Sequence, residues 1–330
     1  MYLEHFGLTR NPFSATPDPR FLFLTNRHRE ALAALLFAVT ERKAFMLMTG
    51  EAGTGKTTLI RKLLLSIPVA CAQFCVVVNP ILTRSELLET ILMDFGVPDV
   101  PASKAQRLAL FQKRLLEAHA EGRTSVLVID EAHLLTEELM DEVRLLSNFE
   151  TAEQKLLQIV LAGQNELDRV LALESMRQVR QRIAIRMQID PLEEADVKRY
   201  LHSRWMRASE QPLPFGDEAI ALVARASRGI PRVINMICDA ALVNAYGSGL
   251  QSIGKSEIEE VLRDLGIGPA PVAARLAPVA VRMPVVPSVP VENVVPAQRE
   301  PIERYLPRAE KPAGIRKIAS WFGMAAGGTK

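Results

Sequence analysis

The chain has 330 residues, with 40 Lys and Arg against 38 Asp and Glu and a formal charge of +2. A hydrophobic share of 48% supports a buried core and 24% charged residues is ordinary, which excludes wholesale disorder, collagen and disulfide scaffolds. The near-neutral total hides a split: residues 268–330 hold nine Lys/Arg against four Asp/Glu, or +5, leaving 31 basic against 34 acidic residues, or −3, before them.

Residues 1–27 are rich in Phe, Pro and Asp and read as an irregular arm. Over 28–42 the apolar positions Ala31, Leu32, Leu35, Leu36 and Val39 have helical spacing. A short apolar run, 44–49, ends at Gly50 and predicts a buried strand. A helix is expected at 56–65, a second strand at 73–78, helices at 85–95 and 105–120, and a third strand at 125–129. A helix at 137–149 and strands at 156–162 and 183–189 complete this part. Strands alternating with helices of this length indicate βαβ units, hence a five-stranded parallel sheet with helices on both faces. After Glu193 the strand signal stops, and helices are expected at 193–209, 217–228, 231–246 and 255–265.

The expected organisation is an arm (1–27), an α/β domain (28–190), a small all-helical domain (191–267) and a basic tail (268–330). The tail holds ten of the 21 prolines and reads as extended and poorly ordered. Within it, 314–323 set Ile315, Ile318, Trp321 and Phe322 at helical spacing with Arg316 and Lys317 opposite, the pattern of an amphipathic anchor to a membrane surface or partner. Cys71, Cys75 and Cys238 are odd in number and form no C-x-x-C pair, so buried reduced thiols in a reducing cytosol are expected. The start, Met1-Tyr-Leu-Glu-His-Phe6, has neither a basic n-region nor an apolar h-region, and Pro68 breaks the richest apolar stretch, 63–78.

Gly50-Glu51-Ala52-Gly53-Thr54-Gly55-Lys56-Thr57 fits G-x-x-x-x-G-K-[S/T] at every fixed position and lies between a strand and a helix. The glycines let backbone N–H groups wrap phosphates at a helix N-terminus, with Thr58 continuing that first turn. Lys56 is expected to reach the β- and γ-phosphates of ATP and Thr57 to ligate Mg²⁺. The third strand ends in Asp130-Glu131, at the tip that faces a ligand crevice. Asp130 is assigned to Mg²⁺ and Glu131 to the attacking water as general base. Adjacent strand residues point to opposite faces, but both reach the site where the strand gives way to a loop.

Asp130-Glu-Ala-His133 also raises a helicase reading, which the chain answers poorly: it has no second ATPase domain and no Q-R-x-G-R element. His133 is read as a helix-start residue. The fourth strand ends at Gly163-Gln164-Asn165; Gln164 is preferred over Asn165 as the polar group at the γ-phosphate or water. Arg177, Arg180, Arg182 and Arg186 cluster before and within the fifth strand, and Arg232 starts a helix of the small domain.

This order of parts resembles the AAA+ ATPases over about residues 1–267. More narrowly it is similar to the general secretion pathway protein A, or ExeA, group. The matching text is Tyr2-x-x-x-Phe6-Gly-Leu, Asn11-Pro-Phe13, Pro17-Asp-Pro-Arg-Phe21-Leu-Phe23, His28-x-Glu-Ala-Leu32, Met176-Arg-Gln-Val-Arg-Gln-Arg182 and Gly229-Ile-Pro-Arg-Val-Ile-Asn235. The resemblance implies ATP binding and Mg-dependent hydrolysis, a homo-oligomer such as a hexamer-like ring, and work in assembling a secretion, pilus, exopolysaccharide or exosortase-type envelope system. It implies a cytoplasmic protein, with peripheral contact at the inner membrane through the tail. It makes the helical domain a lid, Arg182 a finger acting on a neighbour's site (with Arg177 and Arg180 still open), and Arg232 a second sensor. It also implies that Pro12 and Phe13 pack near the adenine.

The Pro/Val-rich stretch after residue 267 departs from that group, whose members continue into a membrane helix and a peptidoglycan-binding region. The alternatives are a DNA-associated AAA+ ATPase, such as a transposition helper, and a nucleotide-dependent scaffold. DNA ranks below the envelope machinery as a partner because the body is slightly acidic.

Overall fold

The computed structural model describes residues 2–14, 16 and 19–268. The chain divides into two units, Met1–Pro271 and Val272–Lys330, and every described residue falls in the first. The tail and its 314–323 pattern lie outside the described residues.

Helix α1 (Tyr2–His5) and a 3-10 turn (Pro19–Phe21) belong to the arm. Then come α2 (Asn26–Thr40), β1 (Phe45–Gly50), α3 (Lys56–Ser66), β2 (Ala72–Val77), α4 (Arg84–Asp94), α5 (Lys104–Ala120) and β3 (Thr124–Ile129). A 3-10 turn (Ala132–Leu134) leads to α6 (Glu137–Leu146), β4 (Leu157–Gly163), α7 (Glu166–Ala172), α8 (Arg177–Arg180) and β5 (Ile183–Ile189). The last helices are α9 (Glu194–Trp205), α10 (Asp217–Ser227), α11 (Pro231–Gly247) and α12 (Lys255–Asp264).

All pairings among the five strands are parallel, in the order β2-β3-β4-β1-β5. The side chains of β1 alternate between the faces. Met46 and Met48 meet Leu35, Leu59 and Leu63 in one core; Phe45 and Leu47 meet residues of α4, α5 and α6 in another. β1, β3 and β4 are buried along their whole length and read as near-continuous apolar runs, whereas the edge strand β5 alternates with exposed positions such as Ala184, Arg186 and Gln188. Thr83 caps α4 in a capping box with Glu86. Gly55 precedes α3 with no side-chain cap, leaving that helix's first N–H groups available.

The third core joins the arm to α9–α12. Phe6, Phe13 and Phe21 are buried with Trp205, Phe215 and Ile234. Phe6 meets Trp205 edge-on at 6.3 Å and Phe13 meets Phe215 at 6.0 Å. Asp239 Oδ1 accepts from Tyr2 Oη and Asn11 Nδ2, each at 2.9 Å. The arm is therefore folded onto the helices, with a short helix of its own, and is less irregular than its composition suggests.

Three further expectations are corrected. Cys71 is exposed, while Cys75 and Cys238 are buried and their thiols pushed up by desolvation. Helices α7 and α8 were not foreseen, and α6 ends at Leu146 rather than 149. Pro12 and Phe13 are buried and do not line the cavity described below, which other arm residues, Ser14, Thr16 and Phe21–Phe23, border.

If the arm is part of this core, Phe13→Ala costs about 3–5 kcal/mol, read as a lower urea midpoint. Phe37, 55% exposed, should change stability by no more than about 0.5 kcal/mol when replaced by Ala.

Candidate nucleotide-binding site

The strand order decides what meets at the mouth of the sheet. With β4 lying between β1 and β3, the loop after β1, Gln164 after β4 and Asp130-Glu131 after β3 come together. A cavity of about 380 Å³ lies beside them. The phosphate-loop residues Ala52–Thr58 line it, with Glu131 and Arg232. Ser14, Thr16 and Phe21–Phe23 of the arm and Leu192, Tyr200, Arg204 and Asn235 of the helical part complete it.

Gly50 ends β1, and Glu51 and Ala52 are exposed at the loop's crest. Gly53 has φ +83°, and a Cβ there would lie 2.7 Å from Arg232 Cβ. Only glycine allows both the left-handed turn and that close approach. Arg232 N donates to Gly53 O at 3.3 Å, so the start of α11 sits on the loop. Thr54 is buried, with Oγ1 donating to Glu51 O at 2.9 Å.

Lys56 is buried, and its Nζ donates to Gly50 O at 2.9 Å and Glu51 O at 3.0 Å. Burial lowers its pKa, while Glu131 and Asp130 pull the other way. Thr57 Oγ1 donates to Asp130 Oδ2 at 2.7 Å, and Asp130 is 5% exposed. A hydroxyl and a buried carboxylate form a hard-oxygen pair that fits Mg²⁺, which takes few protein ligands and keeps waters and phosphate oxygens. Glu131 stands in the left-handed region at φ 52°, a conformation held by its surroundings and concentrated at functional sites. Its Oε2 is buried without a hydrogen-bond partner.

His28, missed as a site residue, is buried under the loop. Its Nε2–H donates to Thr54 O at 3.3 Å, and its Nδ1, 2.6 Å from Thr25 Oγ1, accepts from that hydroxyl. This assignment follows from the partners: a carbonyl can only accept. His133 was also missed; it touches both Glu131 and Gln164. Tyr200, Arg204 and Asn235 form a buried polar chain in the wall of the cavity: Tyr200 Oη donates to Asn235 Oδ1 at 2.7 Å, and Arg204 Nη1 to Tyr200 Oη at 3.1 Å.

Arg182 is not brought to this site. Its Nη1 donates to Arg144 O at 2.9 Å and to Ser147 Oγ. Arg180 donates to Leu171 O at 2.8 Å. Arg177 is exposed, 3.6 Å from Glu174.

The AAA domain family matches residues 39–171. General secretion pathway protein A of Aeromonas hydrophila is 41% identical over 260 residues, 78% of this chain and 47% of that protein. The chain thus spans about half the length of that relative. ATP-dependent target DNA activator B of Escherichia phage Mu is 24% identical over 76% of this chain and 75% of its own length. Among solved structures, the Drosophila ORC bound to DNA superposes with a TM-score of 0.61 at 20% identity, covering 80% of this chain and 66% of that one. The Aeropyrum pernix ORC2 protein gives 0.59 at 14%, covering 77% and 71%. These structural likenesses concern the fold.

Burial lowers the pKa of His28 below its ordinary 6.5. Below about pH 6.5 the unfolded chain therefore binds a proton that the folded chain refuses, and stability falls with pH until the folded pKa is passed. Comparing unfolding midpoints at pH 8 and pH 5, wild type should lose more than His28→Gln; equal losses would contradict the buried neutral imidazole.

Proposed function

We propose that the chain is an AAA+ P-loop NTPase of the kind that general secretion pathway protein A represents, working as an ATP-hydrolysing, oligomeric motor or switch for assembling an envelope system of the secretion, pilus, exopolysaccharide or exosortase type. The observation that carries the hydrolytic part is the 2.7 Å contact of Thr57 with Asp130, with Lys56 and Glu131 beside the same cavity. The envelope assignment rests on the Aeromonas relative, of which this chain spans about half.

In this reading the backbone N–H groups of the loop and the start of α3 bind the phosphates. Lys56 exchanges its bonds to Gly50 O and Glu51 O for phosphate oxygens. Thr57 and Asp130 would hold Mg²⁺, which would supply charge neutralisation to the phosphates. Glu131 accepts the proton of the attacking water and Gln164 orients that water or the γ-phosphate. Arg232 stands over the loop from the lid, poised to report nucleotide occupancy.

A finger acting on a neighbouring copy must leave its own chain. Arg182 must break two hydrogen bonds to do so, whereas the Arg177 side chain is already 63% exposed. In turnover assays Arg177→Ala and Arg182→Ala should both leave ATP affinity unchanged, and the one that lowers turnover identifies the finger. If neither does, Arg180 is the remaining candidate, and an unchanged turnover in Arg180→Ala withdraws the trans-acting role from this cluster.

Lys56→Ala should abolish nucleotide binding in a fluorescent-nucleotide titration. Glu131→Gln should keep binding and lose at least ~100-fold in Mg-dependent phosphate release, the scale of a lost general base. Wild-type release no faster than Glu131→Gln would favour a scaffold. The phage relative supplies a second reading: stimulation by DNA that falls steeply with salt would move the chain to a DNA-associated role.

A further inference from the structure

His133 lies on the 3-10 turn Ala132–Leu134 that follows Asp130-Glu131. Because β4 is the neighbour of β3, the end of β4 packs directly on this turn; a Cβ on Gly163 would lie 3.2 Å from His133 N. The imidazole is 11% exposed and faces two groups of the reaction centre. Its Nδ1 is 3.5 Å from Glu131 Oε2 and 3.4 Å from Gln164 N. Its Nε2 is 3.2 Å from Gln164 Nε2.

A neutral imidazole has one N–H and one lone pair, so these contacts select between two arrangements. With the proton on Nδ1, His133 donates toward the otherwise unpartnered Glu131 Oε2 and its Nε2 accepts from the Gln164 side-chain amide. With the proton on Nε2, the Nδ1 lone pair accepts from Gln164 N–H and faces the carboxylate, which it repels. The first arrangement pairs both side chains but sets Nδ1–H against the Gln164 backbone N–H, which in the second donates to Nδ1 at 3.4 Å; in either, the one ring contacts both Glu131 and Gln164.

We propose that His133 is a positioning residue that couples Gln164 to Glu131, so that the contacts made by the Gln164 amide set the orientation of the Glu131 carboxylate. This rests on the reading of Glu131 as the base. The imidazole touches no phosphate in this scheme; it acts through the two residues on either side of it. A bound triphosphate that engages Gln164 is thereby linked to the base through one side chain instead of through the sheet.

The test measures kcat, ATP affinity and imidazole ¹⁵N signals for the full chain. His133→Ala should lower kcat by about tenfold to a hundredfold, the range for groups that orient a reacting ligand, with ATP affinity within about twofold. His133→Gln, which retains a donor and an acceptor, should recover part of the loss. His133→Ala combined with Gln164→Ala should be little worse than His133→Ala alone, since the two act as one unit. In the nucleotide-free chain the His133 ¹⁵N signals should move on Glu131→Gln and on Gln164→Ala. A wild-type kcat in His133→Ala, or signals unmoved by both substitutions, overturns the proposal. If wild type turns over no faster than Glu131→Gln, it is the hydrolytic reading that fails, and the ¹⁵N signals alone decide the coupling. Should His133→Ala not fold, His133→Gln and Gln164→Ala carry the same comparison.

Discussion

The hydrogen bond from Thr57 Oγ1 to Asp130 Oδ2 is the constraint on which the mouth of the sheet depends. It joins the first turn of α3, which follows β1, to the end of β3, across the intervening β4. Strands sit about 4.8 Å apart, so β1 and β3 are about 10 Å apart, and a threonine in the helix's first turn closes that distance. The same placement brings β4 up between the two, which is why Gln164 meets His133, the neighbour of Glu131. A different strand order would carry the same motifs and no common site.

The second constraint joins the helical part to the loop. Arg232 rests on Gly53, and at Gly229 (φ +73°) a Cβ would lie 2.0 Å from Leu192 O. The chain leaving β5 and the chain entering α11 therefore pack backbone to backbone. The arm is built into the same core through Phe6, Phe13 and Phe21 and through Asp239. A change at the phosphate loop thus meets the helical part and arm as one packed piece. On the other side, Thr25, His28 and the Thr54 carbonyl tie the start of α2 to the loop.

Much of this was legible in the sequence because local physics and global fold agree there. The inner strands β1, β3 and β4 are mostly apolar runs bounded by turns, and the loop residues Gly50–Thr58 have one mechanical use between a strand and a helix. What was not legible depended on tertiary contact. Phe6, Phe13 and Phe21 stand seven and eight residues apart, but Pro12, Pro17 and Pro19 between them rule out one continuous helix, so their packing with Trp205 and Phe215 left no signal. Helix α7 has only seven residues and two buried apolar positions, Leu167 and Leu171, with no side-chain cap at Asn165. His133 reads as a helix start in one dimension; only the β3–β4 pairing puts it between Glu131 and Gln164. Arg182 reads as a free cation until the end of α6 is folded against it.

Under the proposed function, Thr57 and Asp130 would form one preassembled site for the metal of a nucleoside triphosphate. A calorimetric double-mutant cycle of Thr57→Ala and Asp130→Ala, titrated with ATP in magnesium and in chelator, tests it most directly. Each single variant should lose magnesium-dependent affinity, and the double variant should lose little more than the worse single one. Losses that simply add, or an affinity for ATP that is the same with and without magnesium in the wild-type chain, would contradict it.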